Sequence, residues 1–268
     1  MLENIRKVSF SPAEKTGLAV LAAALLLFFL SPSLAAIPLA LFLLLCAAAP
    51  FLPGWGFFLP VISRAQRGIP SVCLTFDDGP CPASTPLLLD LLARYRLPAT
   101  FFLVGEKAAG YPELVAEILR RGHSIGNHSW SHDYFLMLRS GKTLRQDIHK
   151  TQNILKKSGI QPLVFRPPVG ITSPRLREVL AMEGLITVTY SCRAFDRGNR
   201  NIHRLADKIL RRLRPGDIIM LHDLPTCRNA ESDEWVKELE QLFVALAKDY
   251  DVVPLAQLID RPVNIAVK

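Results

Sequence analysis

Four segments of the chain carry residue types that hydrolytic chemistry uses. Thr75-Phe76-Asp77-Asp78-Gly79-Pro80 puts two adjacent carboxylates where an apolar run stops, with Gly-Pro turning the chain away. Neighbouring residues leaving a strand point apart, so one carboxylate can bind a metal ion while the other faces a substrate. In His128-Ser129-Trp130-Ser131-His132 two imidazoles stand four residues apart, a spacing that predicts both on one side of a helical turn, sharing a divalent ion. Asp78 offers a third ligand, which makes two nitrogens and one oxygen with positions left for water, the form of a catalytic rather than a structural site. Arg166-Pro167-Pro168-Val169-Gly170 is stiffened by its prolines, which present Arg166 and the Val169 N–H with little freedom. Ile218-Ile219-Met220-Leu221-His222-Asp223 delivers a histidine off the end of an apolar strand. Taken singly three of them have an ordinary reading: Asp-Asp-Gly-Pro is commonly a turn, paired histidines are often incidental, and a lone histidine at a strand end is usually structural.

What gives them weight is where the surrounding elements place them. From residue 71 onward short β-rich runs alternate with helical patterns, the signature of βα units around a parallel sheet. The pattern predicts strands near 71–76, 99–104, 123–127, 162–165, 185–190, 217–221 and 251–254. Helices fill the intervals, opening at Thr85-Pro86, Tyr111-Pro112 and Ser173-Pro174 and closing on Gly122, Gly159 or Gly184, while Thr143-Leu144-Arg145-Gln146 reads as a capping box. This predicts an α/β fold, an irregular (β/α)7-type barrel rather than an open doubly wound sheet, for which a Gly-rich phosphate loop is missing. Asp77 and Asp78 then end the first strand, His128 follows the third, Arg166 the fourth, Asp196 the fifth and His222 the sixth. All fall on the C-terminal rim, where a barrel assembles catalytic groups from separate strands.

The N-terminal part is of another kind. From Thr16 to Ser63 there is no Asp, Glu, Lys, Arg or His. That length suits two membrane spans of about 20 residues better than one, and the segment predicts a transmembrane helical hairpin with helices at about 12–30 and 34–50. Ser11-Pro12-Ala13-Glu14 is a capping box, Ser31-Pro32-Ser33 makes the turn, and Pro53-Gly54-Trp55-Gly56-Phe57-Phe58 reads as interfacial with Trp55 at headgroup level. A cleaved signal peptide is the alternative, although its apolar core would be shorter. The expected division is residues 1–63 as membrane anchor and 64–268 as catalytic domain, in an integral protein of the plasma membrane that contacts membrane lipid. Arg6, Lys7 and Lys15 flank the first span and Arg64 and Arg67 follow the second, so with two spans the positive-inside rule points to a cytoplasmic catalytic domain, whereas one span in place of two would put it outside the cell. The net charge of +8 comes largely from clusters at helix ends, and no basic-aromatic interleaving points to nucleic acid. Five cysteines exclude a complete disulfide framework, leaving a bond between two of Cys81, Cys192 and Cys227 open.

The soluble motifs together resemble the polysaccharide deacetylases of carbohydrate esterase family four, the NodB-homology domain, over about residues 70 to 260. The markers are a TFDDGP segment at 75–80, an HSxxH segment at 128–132, RPPxG at 166–170 and a Leu-His pair at 221–222. The resemblance implies Asp77 as general base, Asp78, His128 and His132 as metal ligands, and His222 as general acid. It further implies that Arg166 pairs with Asp77, that Asp196 orients and charges His222, and that Val169, Pro168 and Leu221 meet substrate or oxyanion. One divalent ion is implied, with zinc favoured and cobalt, nickel or iron compatible, and an N-acetylated glycan as substrate. The segment around Asp196 departs from the pattern, with Arg193 where an acidic residue is common and Arg197 where Trp is common. Val169 stands where Tyr is frequent. Two rival readings are a catalytically silent sugar-binding protein, which the intact motif residues disfavour, and a two-metal phosphoesterase, which would need further carboxylates.

Overall fold

The computed structural model describes residues 10–52, 54–66, 68–226 and 232–267. Pro53, Arg6, Lys7, Arg67 and Cys227, which figure in the sequence reading, lie outside the described residues.

Helix α1 (Pro12–Phe28) opens with the expected capping box: the Glu14 N–H donates to Ser11 Oγ and the Ser11 N–H to Glu14 Oε2. Helix α2 (Pro32–Ala48) runs back against it, with Phe42 so close to Gly17 that a β-carbon there would sit 3.1 Å from the ring. Both helices are 17 residues long, about 26 Å, which is short of a hydrocarbon core of about 30 Å. Only α2, prolonged by a 3-10 turn to Phe51, gives a described segment (Pro32–Phe51) long and apolar enough to span a membrane. The two helices pack against each other, and among the described residues one span candidate stands where two were expected. Leu25, Leu26, Phe29, Leu43 and Leu44 are exposed.

The pair is tied to the rest by an Ala13 N–H to Phe57 carbonyl bond of 2.9 Å and by a 3.0 Å ion pair between Glu14 and Arg177. Phe57, Phe58 and Leu59 then pack into a core with Leu136, Leu144, Leu176 and Leu180.

The second part is a curled parallel sheet in the order β1-β7-β6-β4-β3-β2-β9-β8. Its strands are β1 (Val61–Ile62), β2 (Cys73–Asp77), β3 (Ala99–Leu103), β4 (Ser124–Asn127), β6 (Val164–Phe165), β7 (Ile186–Val188), β8 (Cys192–Arg193) and β9 (Ile218–His222). The two ends of the sheet are joined by the chain itself, since β7 pairs with β1 and β6 while β8, a few residues on, pairs with β9 at the far edge. A separate antiparallel ribbon joins β5 (Ile160–Pro162) to β10 (Asn264–Ala266). The strand expected at 251–254 is reduced to a single parallel bridge between Val252 and Val72. The Val72 N–H donates to the Asp251 carbonyl and the Val72 carbonyl accepts from the Val253 N–H, and then Pro254, which has no N–H, caps a short helix.

Strand alternation divides the core in two. Cys73, Phe102, Val164, Val188 and Met220 fill the inside of the curl. Leu74, Phe76, Phe101, Leu103, Ile219 and Leu221 face outward onto helices α3 (Thr85–Tyr95) and α9 (Ser232–Asp249). The intervening helices are α4 (Gly105–Gly110), α5 (Pro112–Arg120), α6 (Gly141–Lys157), α7 (Pro174–Glu183) and α8 (Leu205–Leu210), with α10 (Leu255–Leu258) near the end. The cap of α6 differs from expectation. Ser140 is extended and takes the Thr143 N–H on its hydroxyl, so Thr143 lies inside the first turn rather than before it.

Candidate active site

On β2 the inward residues are Cys73, Thr75 and Asp77, and the last two meet a guanidinium. Arg166, fully buried just past β6, donates from Nη1 to Asp77 Oδ1 at 2.6 Å and to Thr75 Oγ1 at 2.8 Å. Its Nη2 donates to the Thr189 carbonyl at 2.8 Å and its Nε to that of Val188 at 3.3 Å, while Phe102 covers its face at 3.9 Å. A buried charge so fully satisfied is fixed in place, and it fixes Asp77 with it.

Asp78 breaks from the strand with φ of 72°, which swings its carboxylate away from that of Asp77. Its carbonyl accepts from Lys107 Nζ at 2.7 Å. Its Oδ1 lies 3.0 Å from His132 Nε2 and 3.3 Å from His128 Nε2, and this buried oxygen makes no hydrogen bond of acceptable geometry. Burial raises the Asp78 carboxyl, but the two imidazoles outweigh it and hold the group well below the usual carboxylate range.

The two histidines do not share a helical turn. Residues 128–132 form a bent loop with positive φ at Ser129 and His132, because side chains intercept its backbone. The Ser129 N–H donates to Asn127 Oδ1, that of Trp130 to Asp147 Oδ1, and that of His132 to Ser129 Oγ. His128 Nδ1 is 2.7 Å from the Arg166 carbonyl, an acceptor only, so Nδ1 carries the proton and Nε2 is left with its lone pair. Asp78, His128 and His132 bring one ligand atom each within 4.8 Å of one another. An orphaned carboxylate oxygen facing two imidazole nitrogens fits a divalent ion held by two nitrogens and one oxygen.

His222 ends β9 opposite Asp77 in the β2–β9 register. Its Nδ1 bonds Asp196 Oδ2 at 2.7 Å, and Asp196 is almost wholly buried. Burial alone would push the imidazole down, yet Asp196, helped by Asp78 and Asp77, lifts it to about 9. The loop carrying Asp196 is braced by Asn199, whose Nδ2 donates to the carbonyls of His222 and Leu224.

Asp77, Asp78, His128, His132, Asp196 and His222 line one cavity of about 550 Å³, together with Tyr134, Val169, Tyr190, Arg193, Arg197 and Arg200, while Arg166 lies buried behind Asp77. Pro168 and Leu221 do not line it. Leu221 points to the outer core because the strand alternation gives the interior to Met220 and His222, and Pro168 is buried behind Pro167, which takes its place. Several supporting residues escaped the sequence reading. Asp223 is buried, accepts the hydroxyls of Ser84 and Thr85 at 2.6 Å, and is pushed by burial up to about 6. A β-carbon on Gly79 would fall 2.3 Å from its Oδ2, so only glycine fits that turn. Among the described residues all cysteines are free, which leaves Cys81 and Cys192 unbonded to each other.

A curled parallel sheet with this His-His-Asp cluster at its C-terminal edge defines a NodB-type α/β barrel domain. Residues 64–188 match the family model described as polysaccharide deacetylase. The peptidoglycan-N-acetylmuramic acid deacetylase PdaC of Bacillus subtilis is 35% identical over 188 residues, 70% of this chain but 38% of that protein's length. A chitooligosaccharide deacetylase of Sinorhizobium fredii is 34% identical over 197 residues, 70% of this chain and 91% of that protein. The solved structure of the Bc1960 peptidoglycan N-acetylglucosamine deacetylase superposes with a TM-score of 0.68 at 29% identity, covering 76% of this chain and 94% of that one. The chain belongs to the polysaccharide deacetylase family. His222 and Asp196 lie beyond the stretch that the family model matches.

Proposed function

We propose that the protein is a metal-dependent hydrolase that removes the N-acetyl group from an amino sugar of a polysaccharide, oligosaccharide or lipid-linked glycan. The observation that carries this reading is the pairing of Asp77 and His222 across adjacent strands, beside the Asp78-His128-His132 cluster. The names of the relatives support the substrate class.

In this mechanism Asp78, His128 and His132 hold one divalent ion, with zinc favoured, which when bound supplies Lewis acidity to the acetamide carbonyl and to the attacking water. Asp77, oriented by Arg166, takes the proton from that water as it attacks the carbonyl carbon. The Val169 N–H faces the oxyanion that develops. His222, protonated and held through Nδ1 by Asp196, gives the Nε2 proton to the amide nitrogen as the C–N bond breaks. The products are acetate and the free amino sugar.

Residues 1–63 act in this reading as a membrane anchor and 64–268 as the catalytic domain. With the helix pair inserted as a hairpin, the bilayer thinning to match the short α1, the active site lies on the cytoplasmic side, whereas α2 as a single span would put it outside. Cys81, a free and half-buried thiol, reports the side: it should resist an impermeant thiol reagent on intact cells and react after lysis.

The test of the activity is acetate release by the purified full chain from N-acetylated glycans, with and without added metal. Release from at least one glycan, abolished by a chelator, is expected. Glycan binding with no release under any metal would instead mark a silent sugar-binding protein.

A further inference from the structure

Three arginines line the active-site cavity and have no part in the mechanism above. Arg193 ends β8, and Arg197 and Arg200 stand on the loop that follows it. Arg193 donates to the Tyr190 hydroxyl at 3.0 Å and lies 4.2 Å over the Phe195 ring. None of the three forms an ion pair among the described residues. The carboxylates of the cavity are committed elsewhere, Asp77 to Arg166, Asp196 to His222 and Asp78 to the histidines.

The loop is built rather than loose. The Asn201 N–H donates to the Asp196 carbonyl at 2.9 Å, and buried Asn199 ties the loop to the end of β9. Left-handed backbone at Phe195, Arg197 and Asn199 folds it tightly, with φ of 57°, 55° and 61°. Arg197 and Arg200 are therefore presented by the same loop that carries the partner of His222, and Arg193 by the strand that leads into it. A neutral acetamido sugar gives a cavity no use for three guanidiniums without a carboxylate partner. A phosphate ester does, because it accepts paired N–H bonds from several forks at once.

Resting on the deacetylase reading, we infer that the preferred substrate is a phosphorylated N-acetylated amino sugar, whose phosphate or diphosphate is bound by Arg193, Arg197 and Arg200. The phosphate can belong to a nucleotide sugar or to a lipid carrier. Tyr134 lines the cavity, and Phe135 and Leu138, which follow it in the chain, are 63% and 74% exposed, an apolar surface that suits the carrier.

Calorimetric titration of the metal-loaded full chain reads this without turnover. N-acetylglucosamine 1-phosphate should bind about tenfold tighter than N-acetylglucosamine, the value of one or more charge-assisted hydrogen bonds, and the gap should narrow as salt rises. Arg197→Gln with Arg200→Gln should close the gap, and Arg197→Lys with Arg200→Lys should keep part of it, each checked for folding by circular dichroism. Equal binding of the two sugars, equal binding of N-acetylmuramic acid and the phosphate, or a gap that survives the glutamine pair would overturn the inference. UDP-N-acetylglucosamine and detergent-solubilised polyprenyl-diphosphate N-acetylglucosamine distinguish the two sources, and tighter binding of either than of N-acetylglucosamine supports the phosphate site. Acetate release from neutral chitotetraose tests the deacetylase reading separately, since loss of that reading leaves the binding preference measurable.

Discussion

Asp77 and His222 are direct partners in the register of the parallel pair β2 and β9, with the Asp223 N–H donating to the Asp77 carbonyl at 2.8 Å just beyond. Neighbouring strands lie about 4.8 Å apart, so the proposed base and acid stand side by side on a rigid ladder. Each is tethered from behind by a buried partner of opposite charge, Arg166 for Asp77 and Asp196 for His222. Hydrolysis of an amide needs a proton removed at one point and supplied at another, and this pair separates the two tasks.

The ligand assignment predicts that Asp78→Ala and His132→Ala each lose bound metal and activity together, because three protein ligands leave no redundancy. Metal content by mass spectrometry beside acetate release checks this. Full occupancy in both variants would remove them from the site.

Asp77→Asn should keep the metal and lose turnover by about a hundredfold or more, the usual worth of a positioned base. It should also lower stability, since Arg166 keeps its charge while fully buried, and breaking a buried pair costs about 3–5 kcal/mol. Urea unfolding gives the second value. A variant that turns over like wild type would refute the base role.

The pH dependence follows from His222. Its folded pKa, raised to about 9, lies above the ordinary histidine value of about 6.5, so the folded chain holds this proton more tightly. Its stabilising contribution is complete below pH of about 6.5 and is lost as pH rises through the folded value. Thermal melts of chelated wild type and Asp196→Asn should differ most below that lower limit and converge above the upper one. The basic limb of kcat/KM should move to lower pH in the same variant. A pH-independent difference would show that Asp196 does not act through the charge of His222.

Asp147 holds the loop between the histidines through the Trp130 N–H at 2.6 Å and the Ser131 hydroxyl at 3.0 Å. Asp147→Ala should weaken metal affinity by about 10–100-fold, as loss of an outer support does, with the fold retained. Competition against a chromophoric chelator measures it, and an unchanged affinity would show that the loop stands without this support.

The residues at the rim were legible because apolar strands end on them: the run before Asp77 and the run before His222 both mark a place where a buried strand reaches the barrel mouth. The pairings of Arg166 and Asp196 with these residues entered only through the family resemblance, as partners far apart in sequence. Local geometry was harder. A spacing of four between His128 and His132 fits a helical turn, and only the contacts of Asn127, Ser129 and Asp147 show why the chain makes a loop there instead. The strands β1 and β8 are two residues each, too short for any alternation to register, and the run at 251–254 has strand composition but is stopped by Pro254. Asp223 left no signal beyond following His222, because its partners Ser84 and Thr85 lie 139 and 138 residues away.

In the proposed mechanism one divalent ion at Asp78, His128 and His132 enables Asp77 and His222 to release acetate. The most direct measurement is a zinc titration of the chelated full chain, with acetate release followed on an N-acetylated glycan that it turns over. Activity should be absent without metal and rise in proportion to zinc until one ion is bound per chain. Full activity in the chelated protein, or activity that appears only with a second ion, would contradict it.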